Sequence, residues 1–227
     1  MPKETFLNLP EEKRALICEA ALMEFAQNSY ESASINRIVA KAGIAKGSFY
    51  QYFEDKQDLF RYLIEVISVE KAAYLAPVLA NPDDKDLFAL LKDLYIAGIR
   101  FAQENPQYSE IGNKLLLLRN EPIYEEIYSD SMPEANDFFR NLLETALAKG
   151  DVRPNIDIQL FSYVVARMNA LVVEYFATTT DHLFDDELLD SIDEFILFLR
   201  YGIGAGGAED ENQHHEQTDR SIQGERI

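Results

Sequence analysis

The 227-residue chain has one cysteine, no tryptophan, three histidines and few basic side chains, 21 against 40 acidic. A single cysteine excludes an intramolecular disulfide and a cysteine-rich metal site, the pattern of a reducing compartment. Cys18 lies in a helical stretch of Ala, Leu and Ile and reads as a packing residue. His182, His214 and His215 fall near a helix end and in a polar tail, poor places for catalysis. No apolar run reaches about 18 residues, and no basic stretch leads a short apolar one. A cytoplasmic protein with no membrane partner is expected. Also missing are a phosphate-cradling glycine loop, a zincin histidine pair and a nucleophile elbow. Glu125-Glu126 and Asp185-Asp186 are neighbours that diverge around a helix, so they read as solvated faces rather than acid–base pairs. No enzyme activity, metal or cofactor is expected.

The acidity is unevenly spread. The formal net charge is -19, but residues 1–60 carry 7 Lys/Arg against 9 Asp/Glu, whereas residues 61–227 carry 14 against 31. An acidic body repels nucleic acid over a Debye length of roughly 8–10 Å. Any contact with DNA must come from the N-terminal part.

Apolar spacing is helical nearly throughout, with no run of period-2 alternation. Pro10-Glu11-Glu12 opens a helix that ends near Asn28-Ser29. Ser34 is placed to cap a second helix that ends at Gly43, and a third covers about 45–52. A longer helix runs from Lys56 to about Ala76, where Pro77 is expected to stop it. Further helices are expected over about 84–104, 107–119, a short 122–128, 133–149, 156–177 and 185–201. The reading is all-α, about nine helices, as an N-terminal three-helix bundle and a larger C-terminal helical domain. The expected boundaries are 1–55, 56–202 and a disordered acidic tail over 203–227.

The stretch Ser32 to Phe53 holds three basic side chains and no acidic one. Ile35, Ile38, Val39, Ala42, Ile44 and Phe49 recur at helical spacing and point inward. Asn36, Arg37, Lys46, Gly47, Ser48, Gln51 and Tyr52 fall outward. Two short helices hinged at a glycine, with small and hydrogen-bonding residues outside, have the layout of a helix-turn-helix. Ser48 and Tyr50 carry hydroxyls that reach phosphate, and Lys46, Gln51 and Asn36 carry the groups used on base edges. Lys56 joins a cation to the amides of the next helix start, a candidate phosphate site. Periodicity and charge alone leave a solvated helical hairpin equally open.

The run Phe49-Tyr50-Gln51-Tyr52-Phe53-Glu54-Asp55-Lys56-Gln57-Asp58-Leu59-Phe60 strongly resembles the signature of the tetracycline-repressor (TetR) family. Ile17 to Phe25 and the turn Ala42 to Gly47 are similar to it too. The resemblance covers about residues 12–60. It implies a double-stranded DNA operator read by a homodimer, with a larger helical domain that binds a small-molecule effector. It also implies base or phosphate contacts at Asn36, Lys46, Gly47, Ser48, Gln51 and Tyr52, and phosphate contacts at Ser34, Tyr50 and Lys56. Three positions depart from the family pattern. Ser29 stands where glycine usually ends the first helix. Ala45 replaces a capping Ser or Thr. Arg37 stands where an acid often completes a capping box with position 34, which frees it for phosphate or for Glu31.

The 156–176 helix is apolar on too many sides for one core, and Leu188 to Leu199 offers a matching stripe. A dimer contact through Phe161, Val165, Val172, Phe195 and Leu199 is expected. Candidate effector residues are the aromatics Tyr95, Phe101, Tyr108 and Tyr175, and the polar Arg167, Asn169 and Glu174. For the last three, a place at the dimer rim is the favoured reading over contact with the effector. A helical ligand-binding or interaction protein without DNA binding is the alternative.

Overall fold

The computed structural model describes residues 2–80, 85–179 and 186–204. Among them are ten helices: α1 (Glu4–Leu7), α2 (Glu11–Gln27), α3 (Ile35–Lys41), α4 (Lys46–Tyr52), α5 (Lys56–Leu79), α6 (Leu87–Glu104), α7 (Pro106–Leu117), α8 (Pro122–Lys149), α9 (Ile158–Thr179) and α10 (Asp186–Ile203). The all-α reading holds. The segment 205–227, with His214 and His215, lies outside the described residues, as does His182.

The helix ends follow from local chemistry. Gly43 and Gly150 have φ of 66° and 83°, and each closes a helix through a backbone bond from the following residue, Ile44 N–H to Val39 O and Asp151 N–H to Ala146 O. At Ser29 no left-handed residue is needed. Asn28 is extended, and its side-chain amide donates to Glu24 O at 3.0 Å. Lys114 from α7 then donates to the carbonyls of Phe25, Ala26 and Asn28, so a lysine closes the helix that a glycine usually ends.

Two prolines do not act as expected. Pro77 sits inside the last turns of α5, and Pro133 inside the 28-residue α8, which joins the two segments expected over 122–128 and 133–149. A proline forfeits one intrahelical bond at a cost of about 3 kcal/mol, which a long helix held on both sides outweighs. The sequence reading also missed α1.

The chain forms two compact units. The first takes Met1–Pro77 and Ala97–Ser131, so the expected boundary at 55/56 does not coincide with this division. Its core is one aromatic-rich cluster with Phe6, Ile17, Phe25, Ile38, Phe49, Phe53, Leu59 and Phe60 all buried. Ring pairs Phe6–Phe53 at 4.7 Å and Phe25–Phe60 at 4.9 Å join α1 to the end of α4 and α2 to the start of α5. Each such pair adds about 0.5–1.5 kcal/mol beyond the area it buries.

The second unit takes Val78–Ile96 and the described residues from Met132 on. Leu87, Phe88, Leu91, Leu143, Val165, Ile192, Ile196 and Leu199 form its core. Asp86 accepts the Ala89 amide to start α6 and pairs with Arg200 at 2.9 Å, while that guanidinium lies 4.6 Å over the Phe88 ring.

Candidate nucleic-acid interface

The brace helix α3 is held from α2. Glu24 is buried, and its carboxylate accepts the Ser34 amide at 2.9 Å and the Arg37 side chain at 2.5–3.1 Å. Arg37 also donates to Ser32 O at 2.7 Å. The capping box that Arg37 appears to break is thus supplied from another helix. Arg37 pairs with Glu24, not with Glu31, and is engaged rather than waiting for phosphate. Burial opposes the Glu24 charge, but the Arg37 and Ser34 hydrogen bonds and the charges of Arg37 and Lys41 outweigh it and hold its carboxyl below the usual range. Ser34 makes no side-chain cap of its own.

On α4, Phe49 and Phe53 are fully buried anchors, and Lys46, Gly47, Tyr50 and Gln51 are exposed, with Ser48 half-buried. A Cβ added at Gly47 would meet no protein atom within 4 Å, so nothing inside the chain calls for a glycine there. Asn36 is exposed on α3. Tyr52 is a correction: it is 7% exposed and packs against Phe6, because it stands three residues after the buried Phe49 and so shares that face of the helix.

Lys56 is a second correction. Its Nζ donates to the carbonyls of Tyr30, Glu31 and Ala33 and lies 4.6 Å from the Tyr30 ring centroid. The start of α5 is already closed by carboxylates: Asp55 accepts the Asp58 amide at 2.8 Å and Asp58 accepts the Glu54 amide at 3.1 Å. Lys56 ties the α2–α3 connection to α5. The sequence did carry the signal, since Asp55 and Asp58 have capping-box spacing.

Lys41, exposed in the last turn of α3, was not picked out by the sequence reading. Arg37, Lys41 and Lys46 are all exposed in the stretch from Ser32 to Phe53, and of the three Arg37 is held in an ion pair, with Glu24.

The expected effector residues do not form one described group. In the first unit Phe101 is buried between Tyr74 and Tyr108, with centroids at 5.5 and 6.0 Å, and the Tyr108 hydroxyl donates to Glu70 at 2.9 Å. In the second unit Tyr95 packs edge-on to Phe195, and burial pushes its phenol far up. Arg167 lies 5.1 Å over the exposed Tyr163 ring, Asn169 is half-buried, and Tyr175 is exposed. The Glu174 side chain lies outside the described residues. A cavity of about 230 Å³ in the second unit, lined by Leu87, Leu90, Phe138 and Leu142 among others, contains none of the expected effector residues.

The expected dimer residues are also shifted. Val165 and Leu199 are 4% exposed and serve their own protomer's core, Phe161 and Val172 are half-buried, and Phe195 faces Tyr95. On these two helices the large apolar side chains left in the open, among the described residues, are Leu160, Tyr163, Leu171 and Tyr175 of α9 and Leu189, Leu197, Phe198 and Tyr201 of α10. Among the described residues, no three His, Cys, Asp or Glu side chains are grouped as a metal site needs, and no helix is long and apolar enough to cross a membrane.

Comparison with known proteins places residues 17–63 in the family described as bacterial regulatory proteins, tetR family. A TetR family transcriptional regulator from Chloroflexus aurantiacus J-10-fl, known from its crystal structure, is 36% identical. The match covers 90% of this chain and 99% of that one, with a TM-score of 0.59. The HTH-type transcriptional repressor AcnR of Corynebacterium glutamicum is 25% identical over 155 residues, 66% of this chain and 74% of the relative. The fatty acid degradation regulator FadR from Bacillus halodurans is 19% identical and shares the fold, covering 81% of this chain and 97% of its own at a TM-score of 0.62.

Proposed function

Because this chain belongs to the TetR family of transcriptional regulators, we propose that it is a cytoplasmic repressor that binds a pseudo-palindromic operator as a homodimer. Membership makes it a DNA-binding transcriptional regulator. Our reading adds the direction of control, the dimer, and release of the operator by a small-molecule effector. One observation carries it: α4 is anchored by Phe49 and Phe53 and exposes Lys46, Gly47, Tyr50 and Gln51, with no acid between Ser32 and Phe53. In this reading Gln51 and Asn36 meet base edges, and Lys46, Ser34, Ser48, Tyr50 and Lys41 meet phosphates. Arg37, Tyr52 and Lys56 hold the helices in place.

The open stripe of α9 and α10 supports the dimer, because a second copy laid on it would cover Leu171, Tyr175, Phe198 and Tyr201. Arg167 and Tyr175 then belong to that rim and not to the effector. The buried Phe101 with Tyr74 and Tyr108 supports an aromatic wall for the effector.

Selection of bound duplexes from random DNA tests the reading. The expected product is two inverted half-sites about one helical turn apart. No enrichment over random sequence would overturn it.

A further inference from the structure

Within the reading head formed by α1–α4 and the start of α5, the recognition helix α4 draws little support from its own sequence. It has seven residues, too few for independent stability. Ala45 at its start offers no side-chain cap, and its last turn has no basic residue to meet the helix dipole. What the helix lacks is supplied by the segment before α2. The Lys3 amide donates to Tyr52 O at 2.8 Å, the Lys3 ammonium donates to Tyr50 O at 3.0 Å, and the Thr5 hydroxyl donates to Gln51 O. Three consecutive carbonyls at the end of α4 are met by two residues 46–49 positions away in sequence. Phe6 fixes the segment in place: it is fully buried against Tyr52, Phe53 and Tyr62.

We infer that Lys3, Thr5 and Phe6 form a clamp that sets the pose of the recognition helix, and so its operator affinity and selectivity, without touching DNA. The inference rests on the DNA-binding reading above. Lys3 brings a positive charge to the negative end of the α4 dipole, where α4 carries none of its own. The hydrogen bonds orient the same turn that presents Tyr50 and Gln51 outward. A helix held at its far end by another segment pivots when that segment is loosened. Contacts that need a fixed pose against base edges are then lost, while attraction to the phosphate backbone persists. Lys3 and Thr5 are therefore positioning residues.

The experiment uses the full chain, with the operator obtained by selection and an unrelated duplex of equal length. Thr5 is exposed, so Thr5→Val removes the hydroxyl without opening the core. Thr5→Val is expected to bind operator about tenfold more weakly, two hydrogen bonds being lost per dimer. It should bind the unrelated duplex within about twofold of the native chain. Thr5→Ser should restore the operator affinity. Lys3→Met should also weaken operator binding, with the slope of log affinity against log salt unchanged. The clamp is overturned if Thr5→Val binds operator as the native chain does, or if both duplexes weaken equally. It is also overturned if Lys3→Met flattens the salt slope by about one per protomer, which would put Lys3 on a phosphate. A native chain that selects no sequence overturns the DNA-binding reading itself, before any variant is compared.

Discussion

The reading head and the α9–α10 pair both carry many apolar side chains, but the head covers nearly all of its large ones, Leu7, Leu16 and Tyr50 excepted. In the head Ile38, Phe49, Phe53, Leu59, Phe60 and Leu63 are all at most 1% exposed. On α9 and α10, Leu171, Tyr175, Phe198 and Tyr201 are between 59% and 75% exposed. The head is complete within one chain. The α9–α10 surface has the character of a core cut in half, which is how obligate interfaces are made. In the dimer proposed above, the difference separates two uses of apolar residues: in the head they fix the presentation of a polar face, and on α9–α10 they are themselves the face presented.

The strongest way to break this contrast is to charge the open surface. Phe198→Asp with Leu171→Asp should give a monomer in sedimentation at micromolar concentration, with the helical circular dichroism kept. Operator affinity should fall by about a hundredfold or more, since one head reads one half-site. A dimer that survives both changes would place the interface elsewhere and leave those exposed rings unexplained.

The contrast also sets what could be read in advance. The head was legible because amphipathic spacing sorts inward from outward wherever polar residues line one side: Ile38, Phe49 and Gly43 all fall where spacing and turn chemistry put them. On α9 apolar residues occupy most of the circumference, so spacing does not choose a side, and the expected stripe of Phe161, Val165 and Val172 lies rotated from the exposed Leu160, Tyr163 and Leu171. Errors within the head have a different origin. Lys56 and Arg37 look like free cations because their partners are backbone carbonyls and a buried acid brought close by folding. Neither partner leaves a periodic trace. Phe6 was missed because a four-residue helix shows no periodicity, although a lone aromatic just before Pro10 is a signal that could have been followed.

If the head is complete in itself, its internal charges hold it together and are not spare cations. Glu24→Gln removes the charge that holds Arg37 and should lower the melting temperature by roughly 5 °C near neutral pH. Because the folded Glu24 carboxyl sits below its unfolded value, its stabilisation is present above about pH 4.5 and is lost as pH falls through the folded pKa. Thermal melts of both proteins should converge as pH falls through the folded carboxyl's lowered pKa. Equal melting temperatures at pH 7 would mean that α3 is held without Glu24.

The next comparison sets Lys46 against Lys56, two lysines ten residues apart with opposite surroundings. Lys46→Ala should leave melting unchanged and reduce the salt slope of operator binding by about two per dimer. Lys56→Met should do the reverse, lowering the melting temperature with little change in slope, since its ammonium is spent on the Tyr30, Glu31 and Ala33 carbonyls. A loss of slope in both variants would return Lys56 to the DNA face.

The smallest effect comes from Cys18, which is only partly covered yet packs against the same core cluster. Burial pushes its thiol up to about 11, and the nearby Arg14 charge only partly offsets that. The thiolate is the reacting form, so near neutral pH the folded chain presents about a hundredfold less of it than the unfolded chain does. Alkylation by iodoacetamide should therefore be about a hundredfold slower in the folded protein than in denaturant. Cys18→Ala should leave operator binding unchanged and cost about 1 kcal/mol of stability. Alkylation of the folded protein at the denatured rate would show that the core beneath α2 opens readily. That outcome would remove the closed interior on which the rigid presentation of α4 depends.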